Sequence, residues 1–347
     1  LRHRHGRAGG APFRPRYRAA GLCLRPRRWL RPSPCVTPEM DWFLLALLSA
    51  ATLASADAAT KAWLQDYSAA EISVVRFSVS GLLLSPLLLG MPAPWTLPAP
   101  FWGWLAAMLP LEIAAMLLYM AAIRDHPLSL TLPYLAFTPV FVLVIADWLL
   151  GERVSAQGML GILLVVAGAW LLNSRHAELT RVRSWAAPLT AIVREPGSRV
   201  MLLVALLYAF TVTMGKAVLD YLPAVYFGPF YFLVLGLTMP LVWALPLRLR
   251  TRGAAGAAGG QWTLRGPGGL LRRPGAVLVV AALHGLMAFT HFLAIARVEV
   301  AYMIAIKRTS LLFGILYGAL VFGERGLRSH LAAGALMLAG VVLIVSN

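Results

Sequence analysis

Leu150-Gly151-Glu152-Arg153 ends one apolar run and opens another that reaches Val166-Ala167-Gly168-Ala169-Trp170-Leu171. The chain then repeats itself. Phe322-Gly323-Glu324-Arg325 ends a second run and leads to Leu338-Ala339-Gly340-Val341-Val342-Leu343. Gly323 follows Gly151 by 172 residues, and Gly340 follows Gly168 by the same 172. The offset also pairs Phe141 with Phe313, Ala122 with Ala294 and Ile123 with Ile295. Self-similarity at a fixed period decides the architecture, so it is read first. In an apolar chain, two weakly similar halves are the mark of a transporter built from structural repeats.

Composition sets the solvent. Hydrophobic residues make up 59% of the chain and charged residues 13%, with a mean hydropathy of +0.73. A soluble domain carries roughly 25% charge, so this is a polytopic membrane protein whose first partner is the lipid bilayer. The net charge of +17 invites a nucleic-acid reading. Ten of the arginines, however, lie in residues 1–39, and the remaining charges scatter through loops with no basic helix or aromatic-basic motif. Nucleic acid is therefore excluded as a partner. Residues 1–39 lack an apolar signal region. They read as an Arg/Pro-rich disordered leader, translated from upstream of a start at Met40. Cys23 and Cys35 both fall there, so neither a disulfide nor a thiolate metal site is expected in the membrane body. No cofactor is implied. Arg outnumbers Lys 28 to 3, the bias of a GC-rich bacterial genome, which makes the inner membrane the expected location.

About 20 residues cross the hydrocarbon core as a helix. Ten apolar segments are long enough: 42–62, 69–90, 101–123, 127–149, 154–173, 199–220, 225–247, 276–296, 299–322 and 327–346. In the early spans the repeat runs at an offset of 155, pairing Lys61-Ala62 with Lys216-Ala217 and Gly81 with Gly236. The extra length falls in 248–275, where 253–260 is a Gly/Ala linker. The expected organisation is a first repeat over 40–174, a connecting loop over 175–198 and a second repeat over 199–347. Five spans per repeat is an odd number, so the second copy is inverted in the membrane. The predicted fold is all-α, ten transmembrane helices in two inverted five-helix repeats.

Two five-span halves, each ending Gly-Glu-Arg, apolar run, Ala-Gly, resemble the EamA family of the drug/metabolite transporter superfamily. Lys61, Arg76, Ala301-Tyr302 and Ile306-Lys307-Arg308-Thr309-Ser310 carry the same resemblance. It covers about 40–346 and implies export or exchange of substrate by alternating access, without ATP hydrolysis. The chain has no GxxxxGK[ST] phosphate loop. One departure stands out: Arg76 aligns with Tyr231, so the second half lacks that arginine.

A charge at the centre of a span costs at least ~2.5–3.5 kcal/mol and is a functional candidate by default. Glu112 in the third span aligns with His284 in the eighth, and Tyr119 with His291. Residues seven apart share a helical face, so both halves place two polar groups on one face of the equivalent helix, expected to line a cavity. Metal binding by the two histidines is disfavoured, because seven residues separate them by about 10 Å along the axis. Lys307 and Arg308 lie within the ninth span, about 100° apart. One is expected to meet substrate while the other pairs with Glu112 or Tyr302. Their counterparts are Leu135 and Ala136, so the cationic site is one-sided. Asp57 and Lys61, four apart, are expected to pair locally, and Asp147 to be interfacial. Glu152-Arg153 and Glu324-Arg325 read as helix-end caps and gate struts. Gly158, Gly161, Gly168, Gly334 and Gly340 offer close-packing surfaces, between repeats or in a homodimer.

The substrate-binding candidates are thus Arg76, Glu112, Tyr119, His284, His291, Tyr302, Lys307 and Arg308. Excess cations over Glu112 favour a small polar metabolite bearing an anion, an amino acid or organic acid. Glu112 is the candidate carrier of a coupling proton, with His284 as its partner. The competing class is a non-transporting membrane scaffold or sensor, which has no need of charges at the membrane centre. An enzyme is disfavoured, since neither HExxH nor GxSxG occurs. Counted from Met40, loop Arg and Lys cluster on the side opposite the termini, which places both termini outside. The resembled family more often keeps them in the cytoplasm.

Overall fold

The computed structural model describes residues 38–125, 132–173, 195–244, 267–321 and 331–346. The second Gly-Glu-Arg, the 253–260 linker, the leader up to residue 37 and most of the connecting loop lie outside the described residues. Every regular element among them is helical: α1 (Pro38–Trp63), α2 (Ala69–Val74), α3 (Ser80–Leu84), α4 (Ala99–Asp125), α5 (Thr138–Leu150), α6 (Ala156–Asn173), α7 (Pro196–Val218), α8 (Ala224–Ala244), α9 (Pro267–Leu270), α10 (Pro274–Ile295), α11 (Val300–Lys307), α12 (Ser310–Val321) and α13 (Leu331–Val345). Seven stretches are long and apolar enough to cross a membrane: Asp41–Trp63, Ala70–Gly90, Ala99–Tyr119, Pro196–Val218, Ala224–Leu241, Pro274–Ile295 and Val300–Val321. Shorter apolar helices occupy Tyr134–Leu150, Ala156–Leu172 and Leu331–Val345.

Several spans are less regular than a hydrophobic run suggests. The second starts at a capping box, where Ser68 accepts from the Glu71 N–H and the Glu71 carboxylate accepts from the Ser68 N–H. It passes through a π-helical turn at Val75–Val79 and ends as a 3₁₀ segment, Ser85–Gly90, with Pro86 at its start. The fourth opens as 3₁₀, Leu132–Phe137, before α5. The ninth is interrupted at Arg308-Thr309, between α11 and α12. These two breaks stand at equivalent places of the 172-residue period. Pro133 and Pro139 account for the first, since each removes a backbone donor. π-Turns and broken helices expose backbone groups and occur where a helix bounds a functional site.

Packing follows close backbone approach. Helix α6 runs against α13, α1 against α10, α4 against α7, and the α2–α3 span against α8. A Cβ on Gly81 would stand 2.5 Å from the Phe232 carbonyl oxygen, and one on Gly236 would stand 2.6 Å from that of Phe77. In the α6–α13 seam, a Cβ on Gly161 would lie 2.8 Å from Gly340 O, and one on Gly340 would lie 2.5 Å from Gly161 O. Only glycine fits at such approaches, and in lipid they supply the dispersion contacts that hold helices together. These glycines are used within one chain. Interhelical hydrogen bonds add to them: Ser49 Oγ donates to Met287 O at 3.1 Å, Ser78 Oγ to Gly236 O at 2.6 Å and Ser80 Oγ to Ala281 O at 2.8 Å. Each such bond contributes about 0.6 kcal/mol.

Candidate transport site

Helix α4 carries Glu112 at its middle, two residues after Pro110. The carboxylate is half-buried, beside Thr211 of α7 and within electrostatic range of Lys307. Two turns further along, Tyr119 is also half-buried and lies within range of Asp57, Arg76 and Arg308.

Helix α10 faces them with its two histidines. His284 is 6% exposed, and its Nδ1 has no partner among the described residues. The rings of Phe77 and Phe232 flank it, with centroids 5.7 Å and 5.8 Å away. His291 places Nδ1 3.3 Å from the Lys307 ammonium, which also lies 3.2 Å from the Met287 sulfur. Lys307 is the last residue of α11 and Arg308 its C-cap. The Arg308 guanidinium lies near the Tyr208 and Tyr119 hydroxyls, and its Nε is buried without a hydrogen-bond partner among the described residues. The break in the span sets the two cations at a helix C-terminus, where the macrodipole favours positive charge.

Six of the sequence-derived candidates, Glu112, Tyr119, His284, His291, Lys307 and Arg308, are thereby brought together. Arg76 lies at the margin, on the π-turn. Its guanidinium donates to Asp57 at 2.6 Å and to Thr60 at 3.2 Å. The arginine of the neighbouring span thus reaches the Asp57 carboxylate directly, a partner that the helical spacing to Lys61 did not announce. Tyr302 is the candidate that the fold places elsewhere. It is 5% exposed, packs beside Gly158, and its hydroxyl accepts from the Ser155 N–H at 3.4 Å.

Three groups escaped the sequence reading as site members. Tyr208 and Tyr231 lie within range of Glu112, and the Tyr231 hydroxyl is buried without a hydrogen-bond partner among the described residues. Thr211 adjoins Glu112. Only Tyr231 carried a signal, as the residue aligned with Arg76. With Arg76 neutralised by Asp57, Lys307 and Arg308 outnumber Glu112, so the interior is net positive. Among the described residues, no group of three or more His, Cys, Asp or Glu is arranged to hold a metal ion.

Long apolar helices around a charged, half-accessible interior define a multi-pass membrane protein, because charges survive at that depth only when they line a cavity or pair. A model of the EamA-like transporter family matches residues 40–174. The chain is 34% identical over 72 residues to the probable 4-amino-4-deoxy-L-arabinose-phosphoundecaprenol flippase subunit ArnE of Enterobacter sp. (strain 638), covering 21% of this chain and 67% of that protein. It is 32% identical over 75 residues to the protein of the same description from Erwinia tasmaniensis, covering 22% of this chain and 69% of that one. A crystal structure of another protein shares the fold, with a TM-score of 0.60 at 15% identity over 88% of this chain and 95% of that one. The chain belongs to the EamA-like transporter family of the drug/metabolite transporter superfamily, and is a multi-pass transporter of the inner membrane.

Proposed function

We propose that this transporter moves a small anionic metabolite, an amino acid or organic acid, by alternating access around the site between α4, α7, α10 and the α11–α12 break. The observation that carries this reading is that, among the described residues, Lys307 lies within electrostatic range of Glu112, with Arg308 beside it. An interior with excess cation lowers the energy of a carboxylate or phosphate and raises that of a cation. Substrate-binding roles go to Glu112, Tyr119, His284, His291, Lys307 and Arg308, with Arg76 at the margin and Tyr302 in support. Glu112 also carries the coupling proton, exchanged with His284.

The working architecture is ten spans in two inverted repeats, 40–174 and 199–347, joined by 175–198. The reciprocal contacts support it. Gly81 meets Phe232 as Gly236 meets Phe77, and each exchange is one step of the 155-residue offset. Gly161 meets Gly340 as Gly168 meets Ala333, which is the same exchange at 172.

The relatives' descriptions favour a second reading. They are flippase subunits for a lipid-linked phosphosugar, and a phosphate headgroup would satisfy the same cations. Reconstitution into liposomes separates the readings. Soluble carboxylates, a phosphate-headgroup lipid and a lipophilic cation are offered in turn. Uptake of the carboxylate supports the first reading and translocation of the lipid the second. Preference for the lipophilic cation overturns both.

A further inference from the structure

A largely buried ion pair gathers the chain at one end of the bundle. Gly151 ends α5 in the left-handed region, at φ 69°, and the Glu152 N–H is tied back to Ala146 O at 3.2 Å. That turn presents the Glu152 side chain across the bundle. One carboxylate oxygen pairs with the Lys216 ammonium, in the last turn of α7. The other accepts from the Val300 N–H, at the first residue of α11, at 2.8 Å. Lys216 completes the ring by donating to Val298 O at 2.6 Å. Three separate stretches of chain are joined there, and the two side chains are 13% and 22% exposed.

The opposite end has an ion pair of its own, Arg272 with the fully buried Glu71 at 3.6 Å. Helix α10 starts just after Arg273 and ends just before Val298, so it measures the bundle from one end to the other. At its starting end, Arg273 bonds Trp63 O at 2.6 Å and Asp66 at 2.9 Å, which places the end of α1 there. Asp57 lies six residues, about 9 Å, below Trp63, yet its side chain is 56% exposed. That carboxylate is held by Arg76 at 2.6 Å and is more exposed than that of Glu152.

We infer that the bundle is open at the Asp57 end and closed at the Glu152 end, where Glu152 and Lys216 form the latch, and that Glu152 also positions the substrate cations through α11. That helix has eight residues, about 12 Å. Its first N–H is held by Glu152, and its last residue and C-cap are Lys307 and Arg308. A short helix held at its start moves as one body, so releasing the latch displaces the cationic pair. Glu152 is thus a positioning residue that makes opening of the mouth and reshaping of the site a single event. The inference rests on the alternating-access reading given above, but not on any substrate.

Impermeant-maleimide labelling of single cysteines tests it without substrate. Cys23 and Cys35 are replaced by Ser, and the reporter is Val298→Cys at the latched mouth or Ala58→Cys at the open one. Glu152→Gln keeps an acceptor for Val300 but removes the charge. Labelling of the Val298→Cys reporter is expected to rise roughly five- to a hundredfold, the usual range of a coupling between sites, while labelling of the Ala58→Cys reporter falls. Lys216→Gln, tested alongside, shifts both reporters the same way. Unchanged labelling at Val298→Cys in either variant overturns the latch. A rise at both reporters together overturns it too, since that is loosening rather than a switch of open mouth.

Discussion

Arg76 and Asp57 meet at 2.6 Å between the first two spans, so the arginine that the second half lacks is already neutralised where it stands. Removing one partner leaves the other charge inside a membrane span. Removing both leaves two neutral groups. Arg76→Gln is expected to lower thermal stability in detergent more than the double variant Asp57→Asn/Arg76→Gln does. With Asp57 more than half exposed, the coupling is about 1 kcal/mol, at the upper end for a solvated pair. A double-mutant cycle on melting temperature measures it.

The glycine seams give a contrast within one protein. Gly81→Ala drives a methyl into a backbone carbonyl, and Gly161→Ala does the same in the α6–α13 seam. Overpacking of this kind costs about 1–3 kcal/mol. A Cβ on Gly314 meets nothing within 4 Å, so Gly314→Ala should stay within about 0.5 kcal/mol of the parent. Thermal melts of the three variants check the ordering.

Lys307→Ala and Arg308→Ala are each expected to weaken binding of an anionic substrate. Hydrogen bonds to a charged group contribute about 1.5–3 kcal/mol, which is roughly a ten- to hundredfold loss in affinity. Tyr302→Phe, altering a hydroxyl that points at Ser155 instead, should change affinity less than about twofold. Equilibrium binding to the purified protein separates the two classes.

What the sequence disclosed depended on the kind of signal. A charge inside an apolar run is conspicuous, so Glu112, Lys307 and Arg308 were legible as candidates before any fold was known, and the fold sets Glu112 within electrostatic range of Lys307. Periodicity did the same for the repeat: Gly81 and Gly236 align at 155, and they are the residues that touch the opposing backbones. Partner choice was not legible. Arg76 reaches Asp57 because of which helices are neighbours, and that is a tertiary fact. Tyr208 and Tyr231 were hidden because tyrosine in a span is ordinary. Tyr302 misled by its nearness in sequence to Lys307, although its hydroxyl lies on the far side of α11, against α6. The break at Arg308-Thr309 had no proline to announce it, whereas Pro133 and Pro139 mark the one before α5.

Transport by Glu112→Gln in proteoliposomes tests the account most directly, because it divides proton coupling from substrate movement in one protein. Glutamine keeps the shape and the hydrogen-bonding reach toward Thr211 but cannot bind or release a proton. Uptake of the anionic substrate driven by a pH gradient is expected to vanish, while exchange of labelled for unlabelled substrate, which needs no net proton movement, continues at close to the parent rate. Full pH-driven uptake in Glu112→Gln would contradict the account.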